Sequence, residues 1–226
     1  MQGFGNMRIA ILGSGNMGAI LGRRFAGAGH SVTFTFSRDP AKLERLARQS
    51  GDRARASESI ADAVRDADVV LLAVHWNQVN KVLRAAGNLR GKVLIDVTNP
   101  MNDADEELAI GFRTSGSEHI ARRAGTKHIV KAFNTVPSEL LRAGADALAE
   151  RPSVCYCSDD ARAKRVVTRL IREIGFEPVN CGPLRSARHL EPLAMIVVEL
   201  AYNQRRRPEV GIRFLRPQRK VTEPNA

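Results

Sequence analysis

Several things are scarce in this chain of 226 residues. No apolar run nears the roughly 20 residues that cross a bilayer. The opening "MQGFGN" has no basic segment leading into a long apolar one, so neither a membrane span nor a secretory signal is expected. Cysteine occurs three times, as Cys155, Cys157 and Cys181. The number is odd and no C-x-x-C is present, so small buried side chains in a reducing compartment are expected rather than a disulfide or a metal site. Nothing repeats at a fixed period, and there is no helix-turn-helix, zinc or aromatic-basic RNA motif. Acidic residues are outnumbered, 24 Asp and Glu against 35 Lys and Arg, for a net charge of +11. That balance favours anionic partners such as phosphates and carboxylates without choosing among them. A cytoplasmic protein is the expectation.

What is present is alternation. At 43% hydrophobic, the composition suffices for one sizeable core, or one core with a smaller appendage. Short apolar runs at 7–12, 31–36, 68–74, 92–98 and 127–134 read as strands, and segments of helical spacing separate them. "DPAKLERLARQS" has Asp39 as a cap and Pro40 at the first helical position. "DVVLLAV" and "KVLIDVT" are continuous apolar runs, as in parallel strands buried on both faces. After a weak stretch near 144–152, "SVCYCS", "DDARAKRVVTRLIREIG" and "FEPVNC" repeat the strand–helix–strand pattern, and 186–203 reads as a last apolar helix. The spacing predicts an α/β fold, a Rossmann doubly wound parallel sheet over residues 7–150, with a small C-terminal α/β appendage and basic tail over 151–226.

Gly13-Ser14-Gly15-Asn16-Met17-Gly18 fits G-x-G-x-x-G, and it follows the first strand and opens the first helix, which is the context the motif requires. Gly13 permits the tight turn, Gly15 keeps side-chain atoms away from a pyrophosphate, and Gly18 allows close packing of helix on strand. The helix N-terminus offers free N–H groups and a positive dipole end, and Ser14 and Asn16 add side-chain donors. At the end of the second strand, where NAD enzymes carry an acid for the ribose hydroxyls, stand Ser37 and Arg38. A guanidinium there suits a 2′-phosphate, with Lys42 one turn into the next helix. Asp39 is the competing ribose acid, but its place before Pro40 fits a helix cap. The expected cofactor is NADP(H).

Ligands of such sheets sit beyond the carboxyl ends of the strands. Those ends are Ala73-Val74-His75-Trp76, Thr98-Asn99-Pro100 and Ala132-Phe133-Asn134-Thr135. Trp76 either walls a ring-shaped substrate or packs helix on sheet. His75 either donates a proton or touches the cofactor. No catalytic residue and no metal ligand stands out.

"ILGSGNMG", "FSRDP", "LLAVHWNQV", "GKVLIDVTNPM", "VKAFNTVPSELL", "GFEPVNCGPLRSARHLEPLAMI" and "EVGIRFL" resemble the NADPH-dependent reductases of the 8-hydroxy-5-deazaflavin coenzyme F420, and the related NADP oxidoreductase domain of metalloreductases. The resemblance runs from about Met7 to Leu215. It implies hydride transfer between NADPH and the central ring carbon of a deazaflavin co-substrate. By it, Ser14, Gly15, Asn16 and Met17 hold the pyrophosphate, and Ser37, Arg38 and Lys42 hold the 2′-phosphate. Ala73, Val74 and His75 flank the nicotinamide, while Asn134, Thr135 and Pro137 line the site near the reacting rings. The C-terminal segment is implied to shape the pocket and to make a homodimer contact. The chain departs from the family at His75, where Pro is frequent, and at Phe36, where a small or amide residue is frequent. Hydride transfer asks the protein for alignment and exclusion of water rather than a nucleophile, in keeping with the lack of a catalytic dyad. The basic tail, with Arg205, Arg206, Arg207, Arg213, Arg216, Arg219 and Lys220, either supplies a cationic mouth or is a solvated tail. The alternatives are a reductase of another acceptor, flavin or ferric chelate, and a non-catalytic NADPH sensor. Nucleic acid and membrane partners are not expected.

Overall fold

The computed structural model describes residues 5–104, 106–204 and 208–215. Strands and helices alternate along the chain as β1 (Arg8–Leu12), α1 (Asn16–Gly27), β2 (Ser31–Thr35), α2 (Pro40–Gln49), β3 (Ala54–Ala56), α3 (Ile60–Arg65), β4 (Val69–Leu72), α4 (Val79–Ala86), β5 (Val93–Asp96), α5 (Gly116–Ala124), β6 (Ile129–Ala132), α6 (Ser138–Ala143), β7 (Ser153–Cys157), α7 (Ala161–Glu173), β8 (Glu177–Asn180) and α8 (Ala187–Val198). They build one eight-stranded sheet in the order β3-β2-β1-β4-β5-β6-β7-β8. The order reverses between β1 and β4, which opens a crevice at their carboxyl ends.

Burial follows the pleat. Ile9 and Ile11 face a core layer shared with α1, α2, α6 and α7, whereas Ala10 and Leu12 face the layer of α3, α4 and α5. Both layers are buried, which is why β1, β4 and β5 are apolar throughout their inner residues. Cys155 and Cys157 share the face beneath α8, packed with Ala187 and Leu190, and all three cysteines are free thiols.

Two features differ from the sequence expectation. The three-residue β3, "ARA", carries no apolar run and gives no strand signal, yet it pairs in parallel with β2 along the sheet edge. The expected last helix over 186–203 is α8 followed by a π-helical turn, Glu199–Asn203. Strands β1–β6 pair in parallel throughout, as expected over 7–150, whereas β7, beyond that range, runs antiparallel to β6, with Ala132 opposite Tyr156. The connection from β6 to β7 holds the six-residue α6, about 9 Å long, and a single 3-10 turn at Ala145–Ala147. It is tied beside α1 by the Arg24 guanidinium, which donates to the carbonyls of Leu141 and Arg142, and it re-enters the sheet at the end where β6 left. The thirteen-residue α7 does cross over, so β8 lies parallel to β7. Strands β7 and β8 therefore continue the same sheet as β1–β6.

Candidate functional site

The glycine turn between β1 and α1 has three glycines in three different situations. Gly13 adopts a φ of +121°, and a Cβ there would lie 2.2 Å from the Ala73 carbonyl oxygen. A Cβ on Gly18 would lie 2.0 Å from the Gly13 carbonyl oxygen, so this glycine lets α1 start close against the turn. A Cβ on Gly15 would meet nothing within 4 Å. Gly15 is the N-cap of α1, and no side chain caps that end. The first N–H groups of α1 thus face open space with the positive end of the helix dipole behind them, an arrangement that fits a phosphate.

From this turn a cleft of about 890 Å³ extends over β2. Gly13, Ser14 and Gly15 line it, with Phe36, Ser37, Arg38 and Lys42 at its far end and Ala73, Val74 and His75 along the other wall. Asp39 is committed elsewhere. Its carboxylate accepts from the Ala41 N–H at 3.0 Å as the N-cap of α2 and from the Arg45 guanidinium at 2.9 Å. The bond to Arg45 holds that carboxyl below its usual range. The Asp39 N–H in turn donates to Ser37 Oγ at 3.1 Å. Among the described residues neither Arg38 nor Lys42 pairs with a carboxylate, so two cations stand at the end of the cleft with no fixed counter-charge. Phe36 reaches the same cleft from a left-handed backbone, φ +61°, with the Lys81 ammonium 6.0 Å from its ring centre.

A second recess of about 350 Å³ continues from the first and shares Gly15, Ala73, Val74 and His75 with it. Asn16, Met17, Trp76, Val97, Thr98, Asn99 and Met101 complete it. Trp76 is held edge-on against His119, ring centroids 5.5 Å apart. Burial, then the charges of Arg123 and Arg122, lower the pKa of His119.

Eleven of the sequence-derived residues thus meet on one continuous groove: Gly13, Ser14, Gly15, Asn16, Met17, Ser37, Arg38, Lys42, Ala73, Val74 and His75. Asn134, Thr135 and Pro137 are buried and line neither part of it. Asn134 sits behind the recess, where its Nδ2 donates to Asn99 Oδ1 at 3.1 Å and to the Leu190 carbonyl at 2.8 Å. Its own Oδ1 is buried without a partner. Asn77, Gln78, Lys81 and Met101 were not singled out from sequence, although Asn77 and Gln78 follow directly on "AVHW" at a strand end. Of the basic tail, Arg213 pairs with Glu150 at 2.7 Å, and the other named residues lie outside the described ones.

The family described as NADP oxidoreductase coenzyme F420-dependent matches residues 8–100, which hold the glycine turn, the cationic end and most of the recess. An F420-dependent NADP reductase of Methanothermobacter thermautotrophicus is 32% identical over 229 residues, spanning 92% of this chain and 94% of its own length. The chain belongs to this family. Members so named are oxidoreductases. Within the family's reach, metalloreductase STEAP3 of Rattus norvegicus is 31% identical over 83% of this chain, but the chain spans only 36% of that protein's length. A crystal structure assigned as an F420-dependent NADP reductase, from Arthrobacter sp. FB24, superposes with a TM-score of 0.77 at 26% identity, covering 88% of this chain and 95% of that one. Among the described residues no helix is long and apolar enough to cross a membrane.

Proposed function

We propose that the protein transfers hydride between NADPH and a deazaflavin coenzyme of the F420 type. The observation that carries the cofactor half is the cleft end where Arg38 and Lys42 are unpaired while Asp39 is spent on α2 and Arg45. An acid free to take the ribose hydroxyls is missing from that position, and a pair of cations suited to a 2′-phosphate is present. The open side of Gly15 and the uncapped start of α1 fit a pyrophosphate.

Bound NADPH supplies the hydride, and the deazaflavin takes it up on its central ring carbon. In this reading Ser14, Gly15, Asn16 and Met17 bind the pyrophosphate, and Ser37, Arg38 and Lys42 bind the 2′-phosphate. Ala73, Val74 and His75 flank the nicotinamide. Trp76 and Asn99 wall the recess and keep water from the reacting faces, while Asn134 fixes Asn99 from behind, with Thr135 and Pro137 in the same buried layer. Residues 7–150 carry the groove, and 151–226 back it through α8. No side chain has to give or take a proton for the hydride to move, so positioning is the protein's contribution. A homodimer working in the cytoplasm belongs to the same proposal, and light scattering on the purified chain tests the dimer.

The likeness to STEAP3 over 83% of this chain supports a second reading, in which a ferric chelate receives the electrons. One assay separates the two. Purified protein and NADPH are mixed with oxidised F420, FMN or a ferric chelate, and each acceptor is followed by absorbance. Rapid bleaching of F420 with little turnover of the others is expected. Turnover of the ferric chelate alone would replace the deazaflavin with the second reading.

A further inference from the structure

Three charged side chains lie in the core beneath the recess, on elements that are otherwise apolar. Strand β5 reads Val-Leu-Ile-Asp and β6 reads Ile-Val-Lys-Ala, so each turns charged only near its carboxyl end. Asp96 and Lys131 are fully buried, and Glu191 of α8 is 1% exposed. The Lys131 ammonium donates to Asp96 Oδ2 at 3.0 Å and to Glu191 Oε1 at 3.1 Å, and its third N–H goes to the Thr98 carbonyl. All three of its donors are used. Burial disfavours the lysine charge, but the two carboxylates outweigh it and raise its pKa. Burial pushes the Glu191 carboxyl up, against the pull of Lys131.

Buried ion clusters add little net stability compared with apolar packing, so what this one holds in place is the informative question. It holds both walls of the recess. Asp96 Oδ1 accepts from the Thr98 N–H at 2.9 Å and from its hydroxyl at 2.8 Å, and Lys131 takes the Thr98 carbonyl, so the backbone of the Thr98–Asn99 wall is gripped from two sides. Glu191 accepts from the N–H groups of Gly116 and Ser117 at 2.9 and 3.2 Å, which fixes the N-terminus of α5. Gly116 in turn lies directly beneath the other wall, where a Cβ would come within 3.2 Å of both the Trp76 ring and Pro100. Next to Glu191, the Leu190 carbonyl holds Asn134, and Asn134 holds Asn99.

We propose that Asp96, Lys131 and Glu191 are positioning residues that set the two walls of the recess, Trp76 and Thr98–Asn99, against each other for the nicotinamide end of the dinucleotide. The triad touches neither cofactor nor acceptor, and it acts only on that end. This rests on the reading of the groove as an NADPH site. It predicts that disturbing the triad separates the two halves of the cofactor, with the adenosine half bound normally and the nicotinamide half bound badly.

Trp76 is the only tryptophan of the chain and sits in the recess, so its fluorescence reports on it directly. NADPH and adenosine 2′,5′-bisphosphate, which has no nicotinamide, are titrated against the wild type, Asp96→Asn and Lys131→Met, with Trp76 quenching and thermal shift as readouts. Asp96→Asn keeps the Lys131–Glu191 pair and decides the matter if Lys131→Met does not fold. The expected result is NADPH binding weakened about tenfold, a size within reach of a disturbed buried pair, with the bisphosphate within about twofold of wild type. Folded variants that bind NADPH as wild type does, or that lose both ligands equally, would overturn the proposal. A wild type that binds neither ligand would overturn the cofactor reading, and this proposal with it.

Discussion

At the scale of single residues, the proposed choice of dinucleotide rests on two neighbours with different duties. Arg38 is exposed at the cleft end, and Asp39 beside it, also on the cleft, has its carboxylate bonded to the Ala41 N–H and to Arg45. In the proposed site, replacing Arg38 by Ala removes a charge-assisted contact to the 2′-phosphate that NADH lacks. The expected outcome is a KM for NADPH raised about tenfold or more, with NADH kinetics unchanged. An unaltered NADPH to NADH ratio in steady-state kinetics would remove Arg38 from the site. The cysteines differ from one another in the same local way. Burial pushes Cys157 up to about 12, whereas a hydrogen bond from Cys155 brings Cys181 down to about 7.

At the scale of the element, the β1–α1 turn divides its glycines between folding and binding. Gly18 is closed in by backbone, and Gly15 opens on space. Gly18→Ala forces the start of α1 off the turn and should cost about 3 kcal/mol, a fall in Tm of roughly 5–10 °C. Gly15→Ala should cost at most about 1 kcal/mol through the poorer N-cap. It nevertheless places a methyl where the pyrophosphate would lie, so NADPH binding should weaken while Tm barely moves. Thermal denaturation with and without NADPH distinguishes the two, and a Gly15→Ala protein that keeps full NADPH protection would argue against the turn as a phosphate cradle. The same element was legible in sequence because its requirements are local: a positive φ at Gly13 and an uncapped helix start lie within a few residues of each other. The cap on α2 was legible for the same reason. Strand β3 was not, because its three residues are held by pairing with β2 rather than by any pattern of their own. The direction of β7 was not, because strand periodicity is identical for either direction and only the path of the connection through α6 decides it.

At the scale of the whole molecule, 35 basic against 24 acidic residues give a net charge of +11, and the groove would take polyanionic cofactors. Encounter should therefore be electrostatically steered. Raising ionic strength from about 0.01 M to 0.3 M should lower kcat/KM for NADPH several-fold and leave kcat nearly unchanged, since the chemistry itself is shielded from salt. A flat salt profile would assign the charge to some other purpose. At this scale too, the residues of the site divide into those found from sequence and those not. Of the eleven groove residues, Gly13, Ser14 and Gly15 sit on the turn, Asn16 and Met17 at the start of α1, Ser37, Arg38, Ala73, Val74 and His75 just past strand ends, and Lys42 in α2, so strand order and the glycine motif pointed to most of them. Asn134, Thr135 and Pro137 also follow a strand end, and all three are buried, with Asn99 of the recess bonded to Asn134.

The sequence by itself determined the alternation of strands and helices, the phosphate-type turn and the cationic end of the cleft, because each is written in contacts a few residues apart. Only the tertiary structure decided that β7 runs backwards, that the groove continues into a recess under Trp76, and that this recess stands on a buried triad. Lys131 meets Asp96 across 35 residues, and Gly116 meets Glu191 across 75. A charged residue at the end of an apolar strand has no visible partner in sequence. Its role exists once the sheet brings Asp96 to 3.0 Å and α8 brings Glu191 to 3.1 Å from Lys131, where burial makes pairing obligatory.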